Sequence, residues 1–304
     1  MRDPMELLHV VDVVPELDDG EVRPVLVHAL DGFLDAGAAG RLAAEQLGTD
    51  GRVVASFDLD QLYDYRGRRP PLTFSEDHYE DYVAPRLVVR LVNDERGTPY
   101  LLLSGPEPDY QWERFAAAVR ALVERLRVRL TVGLGAVPMA LPHTRPLMLT
   151  VHSAQPEELQ SANIWKGNIR VPASAAALLE MRLGEWGHRS MGFVAHVPHY
   201  VAQNDYPQAA VDLIETLSQQ TSLALSTGAL VAAADERAAE IAAQIEGSDE
   251  VREAVAALEQ QYDAFTRASG SSLLADQAPI PSAEELGAEF ERFLAGLDRR
   301  DEQG

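Results

Sequence analysis

The chain has no cysteine, which removes disulfides, thiolate-bound metals and a cysteine nucleophile. Lysine is almost as scarce: Lys166 is the only one among 26 basic residues, in a sequence otherwise rich in Arg and Ala. A GC-rich genome produces such usage, so the scarcity needs no Schiff-base role for Lys166. No run comes near the ~20 apolar residues of a membrane helix. Met1 to Leu17 mixes acids with short apolar stretches and lacks the basic start and continuous apolar core of a signal peptide. Positive charge is short as well, with 26 Lys and Arg against 48 Asp and Glu, a net of −22. A surface of that sign repels nucleic acid and anionic lipid. The expectation is a soluble cytoplasmic protein that takes neither nucleic acid nor membrane as a partner.

What is present is apolar material, 46% of 304 residues, enough for one large domain or one domain with an appendage. Strand and helix patterns alternate. Val25 to Leu30, Val53 to Phe57, Pro99 to Ser104, Val128 to Leu134, Leu147 to His152, Ile169 to Val171 and Met191 to Val197 read as strands. Between them, Ala38 to Leu47, Tyr110 to Leu126, the segment from Ser174 to Trp186, and Pro207 to Leu223 have helical spacing, with Trp112, Phe115, Val119, Leu122, Val123 and Leu126 forming one stripe. Residues 59–85 form a long polar stretch with Arg66, Arg68, Arg69 and Pro70-Pro71, a length that argues for a functional or interfacial loop. These patterns predict an α/β fold, a three-layer α/β/α core with a mainly parallel sheet, plus a C-terminal helical extension. The expected division is a core over 1–228, a helical extension over 229–268 packed on the core or a neighbouring subunit, and a connector with a short terminal helix over 269–304. Residues 235–304 carry 17 acids and 6 bases, half of the whole excess of negative charge.

The polar residues at strand ends are the most telling feature. Asp31 and Asp35, Glu107 and Asp109, His143 and Arg145, His196 and His199 each follow or close an apolar run. Ligands of open α/β sheets bind beyond the carboxyl ends of strands, so Asp31, Asp35, Glu107, Asp109, His143, Arg145 and His199 are expected on one rim as candidate ligand-binding residues. Arg145, in a loop stiffened by Pro142 and Pro146, can grip an anion, and His143 can shuttle a proton. The same residues can instead cap helices and fasten loops: Glu107 and Asp109 precede a helix, and Arg145 can pair with either of them. No catalytic residues are assigned. His196 and His199 have a separation that suits a metal on a helix, but Pro198 forbids the helix, and no metal is expected. Asp31 to Gly40 matches neither a dinucleotide fingerprint nor a phosphate-binding loop, and no cofactor is expected. No Gly-x-Ser-x-Gly elbow is present.

Four stretches taken together resemble the actinobacterial branch of the proteasome assembly chaperone family: Asp31-Gly32-Phe33 to Asp35-Ala36-Gly37, Ser104 to Trp112, Val137-Pro138-Met139 to Pro142-His143-Thr144-Arg145-Pro146, and Gly192 to Tyr200. The resemblance spans roughly residues 5–265. It implies an α/β/α core related to the nucleoside phosphorylase and hydrolase architecture and, for bacterial members, a homo-oligomer with a trimer as the expected state. It implies no catalytic residues. Eukaryotic members escort outer-ring proteasome subunits and dock through a C-terminal hydrophobic-tyrosine-any tripeptide. This chain ends Asp301-Glu302-Gln303-Gly304, so docking by that route is not expected. Two functions follow: a non-enzymatic scaffold or assembly chaperone acting through protein contacts, with itself and proteasome subunits as candidate partners, or an enzyme or small-molecule binder using the rim for an anionic or nucleoside-like ligand.

Overall fold

A computed structural model describes residues 3–11, 14–18, 22–32, 34–48, 50–159 and 168–271. Lys166, residues 272–282 of the expected connector and the expected helix at Glu284 to Leu297 lie outside the described residues; residues 269–271, expected to open the connector, are instead the last residues of the helix Asp249–Ser271. The chain divides into two units, residues 1–259 and 260–304.

The apolar runs form the middle of one sheet. Among the described residues the strands are β1 (Leu8–Val10), β2 (Val25–Asp31), β3 (Arg52–Phe57), β4 (Thr73–Ser75), β5 (His78–Glu80), β6 (Val88–Asn93), β7 (Pro99–Pro106), β8 (Leu130–Met139), β9 (Leu149–Ser153) and β10 (Ser190–Pro198). The helices are α1 (Pro15–Asp18), α2 (Ala39–Gly48), α3 (Trp112–Arg125), α4 (Ala175–Glu185), α5 (Pro207–Thr221), α6 (Gly228–Glu246) and α7 (Asp249–Ser271). Eight strands share one sheet in the order β1-β3-β6-β7-β2-β8-β10-β9, and β4 pairs only with β5. The central strands β7, β2, β8 and β10 are mutually parallel, while β1, β3, β6 and β9 join through antiparallel ladders. Five of the eight strands, β3 included, therefore point the same way.

Side chains alternate across the sheet with a period of two. Val25, Val27 and Ala29 of β2 face a cluster completed by Ala39, Ala43 and Leu47 of α2, by Leu213, Ile214 and Leu217 of α5, and by Leu230 and Ile241 of α6. Leu26 faces the other way, with Leu101 and Leu103 of β7, Phe115, Val119 and Leu122 of α3, and Leu179 and Leu183 of α4. Helices on both faces explain why the central strands read as continuous apolar runs rather than as alternating ones. This is the expected three-layer α/β/α arrangement, with α6 and α7 following the last strand.

Three local expectations need correction. Ile169 to Val171 is not a strand: it pairs with nothing among the described residues, and Ile169 and Val171 are exposed. Pro172 follows at once and has no N–H for a ladder. Val88 to Asn93, which the sequence reading passes over, is strand β6 and bonds to both β3 and β7. The stretch at 59–85 is not featureless, for it holds a 3-10 turn at Leu59–Gln61 and the β4–β5 hairpin.

Candidate functional site

The strands β2, β7, β8 and β10 end at the same edge of the sheet, and the expected residues stand there in two groups with the β2–α2 loop between them. The first group lies at the ends of β2 and β7. Asp31 pairs with Pro106 across the ladder, and its carbonyl accepts the Glu107 N–H at 2.9 Å. The Glu107 side chain is buried and accepts the Ala175 N–H at the start of α4, at 2.5 Å. A carboxylate there satisfies an otherwise orphan donor and meets the positive end of the helix dipole. Gly32 makes this possible, since a Cβ at that position would overlap the Glu107 carboxylate. Asp109 accepts the Asp64 N–H through Oδ2 at 2.6 Å.

Arg68, from the long loop, binds this group together. Its Nη2 donates to the Glu107 carbonyl at 2.5 Å and to Asp109 Oδ2 at 2.6 Å, its Nη1 reaches the Asp31 carbonyl at 3.4 Å, and its guanidinium lies 4.5 Å from the Tyr63 ring centroid. The arginine that pairs with Asp109 is thus Arg68 and not Arg145. The physical reason is chain path, because Asp109 N–H and Tyr110 N–H both donate to the Leu62 carbonyl and pull the long loop onto the rim.

The second group lies at the ends of β8 and β10. His143 donates its backbone N–H to the Tyr200 hydroxyl at 2.8 Å, and its Nδ1 stands 2.7 Å from the same oxygen. His199 also packs edge-on against Tyr200, with ring centroids 5.3 Å apart. His143 and His199 therefore both contact one tyrosine. Burial pushes the His143 imidazole below its ordinary range, and the Glu259 carboxylate works against that shift. Arg145 pairs with Glu259 at 3.3 Å, and the Thr144 hydroxyl donates to the same carboxylate.

The β2–α2 loop runs between the groups. Asp35 accepts the Gly40 and Arg41 N–H groups at 2.8 and 3.0 Å, a helix cap rather than a free carboxylate. Its pKa is raised chiefly by burial. Gly37 donates to the Ala202 carbonyl and accepts from the Tyr206 N–H, tying this loop to the segment after β10. His196 is not on the rim: it is buried within β10, its Nε2 2.8 Å from Thr150 Oγ1, and desolvation lowers its pKa to about 4.

Beside the second group is an open groove of about 590 Å³, lined by His143, Arg145, Leu147, Tyr206, Asp212 and Glu215 among others. Burial raises the Asp212 pKa there. Among the described residues no group of three or more His, Asp or Glu side chains is placed to hold a metal. Sequence reasoning missed three participants, Arg68, Tyr200 and Glu259. The first was visible as part of a basic run in an acidic chain and Tyr200 as the end of the Gly192 to Tyr200 stretch, whereas Glu259 carries no local signal.

The comparisons with known proteins agree with this architecture. No curated protein matches the chain. The solved structure of a Mycobacterium tuberculosis protein of unknown function is 49% identical, with 88% of this chain and 92% of that chain covered and a TM-score of 0.84. One from Corynebacterium glutamicum, also of unknown function, is 36% identical over 84% of this chain and 97% of that chain, with a TM-score of 0.80. A Mycobacterium tuberculosis proteasome-assembly chaperone homologue shares the fold at 24% identity, covering 76% and 99% of the two chains with a TM-score of 0.70. The family model for the PAC2 family matches residues 29–245, a span that includes all four loops on which the resemblance to proteasome assembly chaperones rested. The chain belongs to the PAC2 family.

Proposed function

We propose that this protein is a non-enzymatic, oligomeric assembly chaperone or scaffold, working in the cytoplasm through protein contacts, with proteasome subunits as candidate clients. The observation that carries the reading is how the rim side chains are used. Glu107 and Asp35 cap helices, Asp109 ties Arg68 to the Asp64 backbone, and Arg145 is paired with Glu259. Groups spent on holding loops in place shape a surface rather than attack a substrate. Family membership and a shared fold with a proteasome-assembly chaperone homologue support the same reading.

The second reading, a small-molecule binder, is favoured by one feature, the groove beside His143, Arg145 and Asp212. Its volume of about 590 Å³ falls in the ordinary range of ligand sites. Affinity co-purification of the intact protein from its source cell, analysed for both proteins and metabolites, separates the two. Proteasome subunits or their assembly intermediates in the eluate support the chaperone. A stoichiometric metabolite with no protein partner overturns it in favour of the groove.

A further inference from the structure

The part of the sheet beneath α4 is polar where the rest of the interior is apolar. Leu26 and His28 leave β2 on the face that α3 and α4 cover. Thr131 and Gly133 of β8 lie opposite them in register, Ser190 and Gly192 of β10 come next, and His152 of β9 lies opposite Gly192. The two glycines leave room for imidazoles, since a Cβ on Gly133 would overlap the His28 ring and one on Gly192 the His152 ring. His28, Thr131 and Ser190 are at most 2% exposed. Among the described residues, both ring nitrogens of His28, Thr131 Oγ1 and Ser190 Oγ find no hydrogen-bond partner. A polar atom shut away from water in this way raises the free energy of the closed arrangement.

The helix above this floor is lightly held. α4 buries Ala175, Leu179 and Leu183, whereas its neighbour α3 buries Phe115, Ala116, Ala118, Val119, Leu122 and Val123. Three polar latches add to the apolar contact. Glu107 accepts the Ala175 N–H at the rim end, Glu180 Oε1 stands 2.8 Å from His152 Nδ1, and Arg182 pairs with Glu113 of α3 at 2.6 Å. The last two pairs reach solvent, where an ion pair contributes little. Directly beyond the helix, Gly187 sits at φ +81, a glycine placed where a hinge can absorb a change of direction. Opening α4 exposes three apolar side chains but hydrates four unpartnered atoms, which puts this helix at the low end of local stability.

We propose that α4 is a hinged cover, which lifts from the sheet as a unit below global unfolding and in doing so releases the Glu107 carboxylate from the helix end. Closed, α4 braces the β2 and β7 half of the rim through Glu107. Open, it uncovers a floor of hydroxyl and imidazole groups and leaves that half of the rim without its brace. The rim thus has two states, set by a helix that stands behind it. This goes beyond the scaffold reading, which takes the rim as fixed.

Hydrogen exchange of the full chain at pH 7, read by mass spectrometry on peptides covering α3, α4 and β8, tests the cover. The amides of Leu179 to Glu185 are expected to exchange at least tenfold faster than those of α3, after correction for intrinsic rates, and to show a weaker dependence on low urea. Thr131→Val with Ser190→Ala removes two of the unpartnered hydroxyls at nearly constant shape and is expected to slow α4 exchange at least threefold. If α3, α4 and β8 exchange together, with one urea dependence, α4 opens only by global unfolding and the proposal falls. Fast α4 exchange that the double variant leaves unchanged or accelerates also overturns it, because the unpartnered atoms are then not what loosens the helix. Should that variant fail to fold, the wild-type comparison of α4 with α3 decides alone.

Discussion

Arg68 Nη2 lies 2.6 Å from Asp109 Oδ2, and through this one guanidinium a loop that leaves the sheet after β3 is fastened to the end of β7. The same side chain also holds two backbone carbonyls of the rim and covers Tyr63. Convergence at the first half of the rim therefore depends on a residue from outside the strand ends.

Replacing Arg68 by Ala is expected to cost about 1–3 kcal/mol, because several charge-assisted hydrogen bonds vanish together and leave half-buried acceptors. Arg145→Ala is expected to cost less than about 1 kcal/mol, the usual scale of a single solvent-accessible ion pair, since Arg145 meets Glu259 at 3.3 Å with both side chains about 30% exposed. Urea unfolding of the two variants measures both. Equal losses contradict the ranking, and with it the idea that the long loop is the rim's main tie.

Gly32→Ala places a methyl where the Glu107 carboxylate sits, so the carboxylate must leave the Ala175 N–H. The expected loss is about 1–2 kcal/mol, the scale of a lost helix cap plus local strain. Glu107→Ala is expected to cost a similar amount, and adding Gly32→Ala to it is then expected to cost far less than it does alone. A double-mutant cycle with no coupling between the two positions refutes the steric link.

Much of this layout is legible in the sequence. Apolar runs at Val25 to Leu30, Leu101 to Leu103 and Met191 to Val197 announce buried strands, and a central strand ends in an order that brings the polar residues after it to one edge. Pairing partners are a different matter. Arg145 and Asp109 both stand on the rim, but each takes its partner from a segment whose path is set by tertiary packing: Glu259 comes from α7 and Arg68 from the loop after β3. Glu259 is one of many acids in a negative stretch, so nothing local distinguishes it. The β4–β5 hairpin is hidden for a related reason, since its turn residues Glu76-Asp77 are not the Asn-Gly or Asp-Gly pair that signals a tight hairpin.

Glu259→Gln is expected to lower the His143 pKa further. Burial is the main cause of its depression, and the Glu259 carboxylate is the group that opposes it. Removing that charge leaves desolvation alone and favours the neutral ring. Titration of the histidine ring protons by NMR checks the direction. An unchanged or raised value places Glu259 too far away, or too well screened, to act on His143.

Stability is expected to fall as the pH drops from about 6.5 to about 4, and His28 is a principal cause. It is 2% exposed, neither ring nitrogen finds a hydrogen-bond partner among the described residues, and it leans over Gly133, where a Cβ would clash with the imidazole. Desolvation first, and the nearby His152 second, lower its pKa to about 4. Burial lowers His196 to about 4 as well. The folded protein keeps both rings neutral, whereas the unfolded chain protonates them below about 6.5. Between the two values the unfolded state binds more protons, so stability rises with pH. The contribution is complete above about 6.5 and is progressively lost down to about 4, with a slope of at most about 1.4 kcal/mol per pH unit for each ring. His28→Leu removes one of these rings together with two unsatisfied buried nitrogens. That variant is expected to match or exceed the wild type near neutrality and to lose stability less steeply in acid. Urea unfolding at intervals from pH 7.5 to 4 decides it: parallel curves for wild type and variant show that His28 is charged or solvated in the folded state.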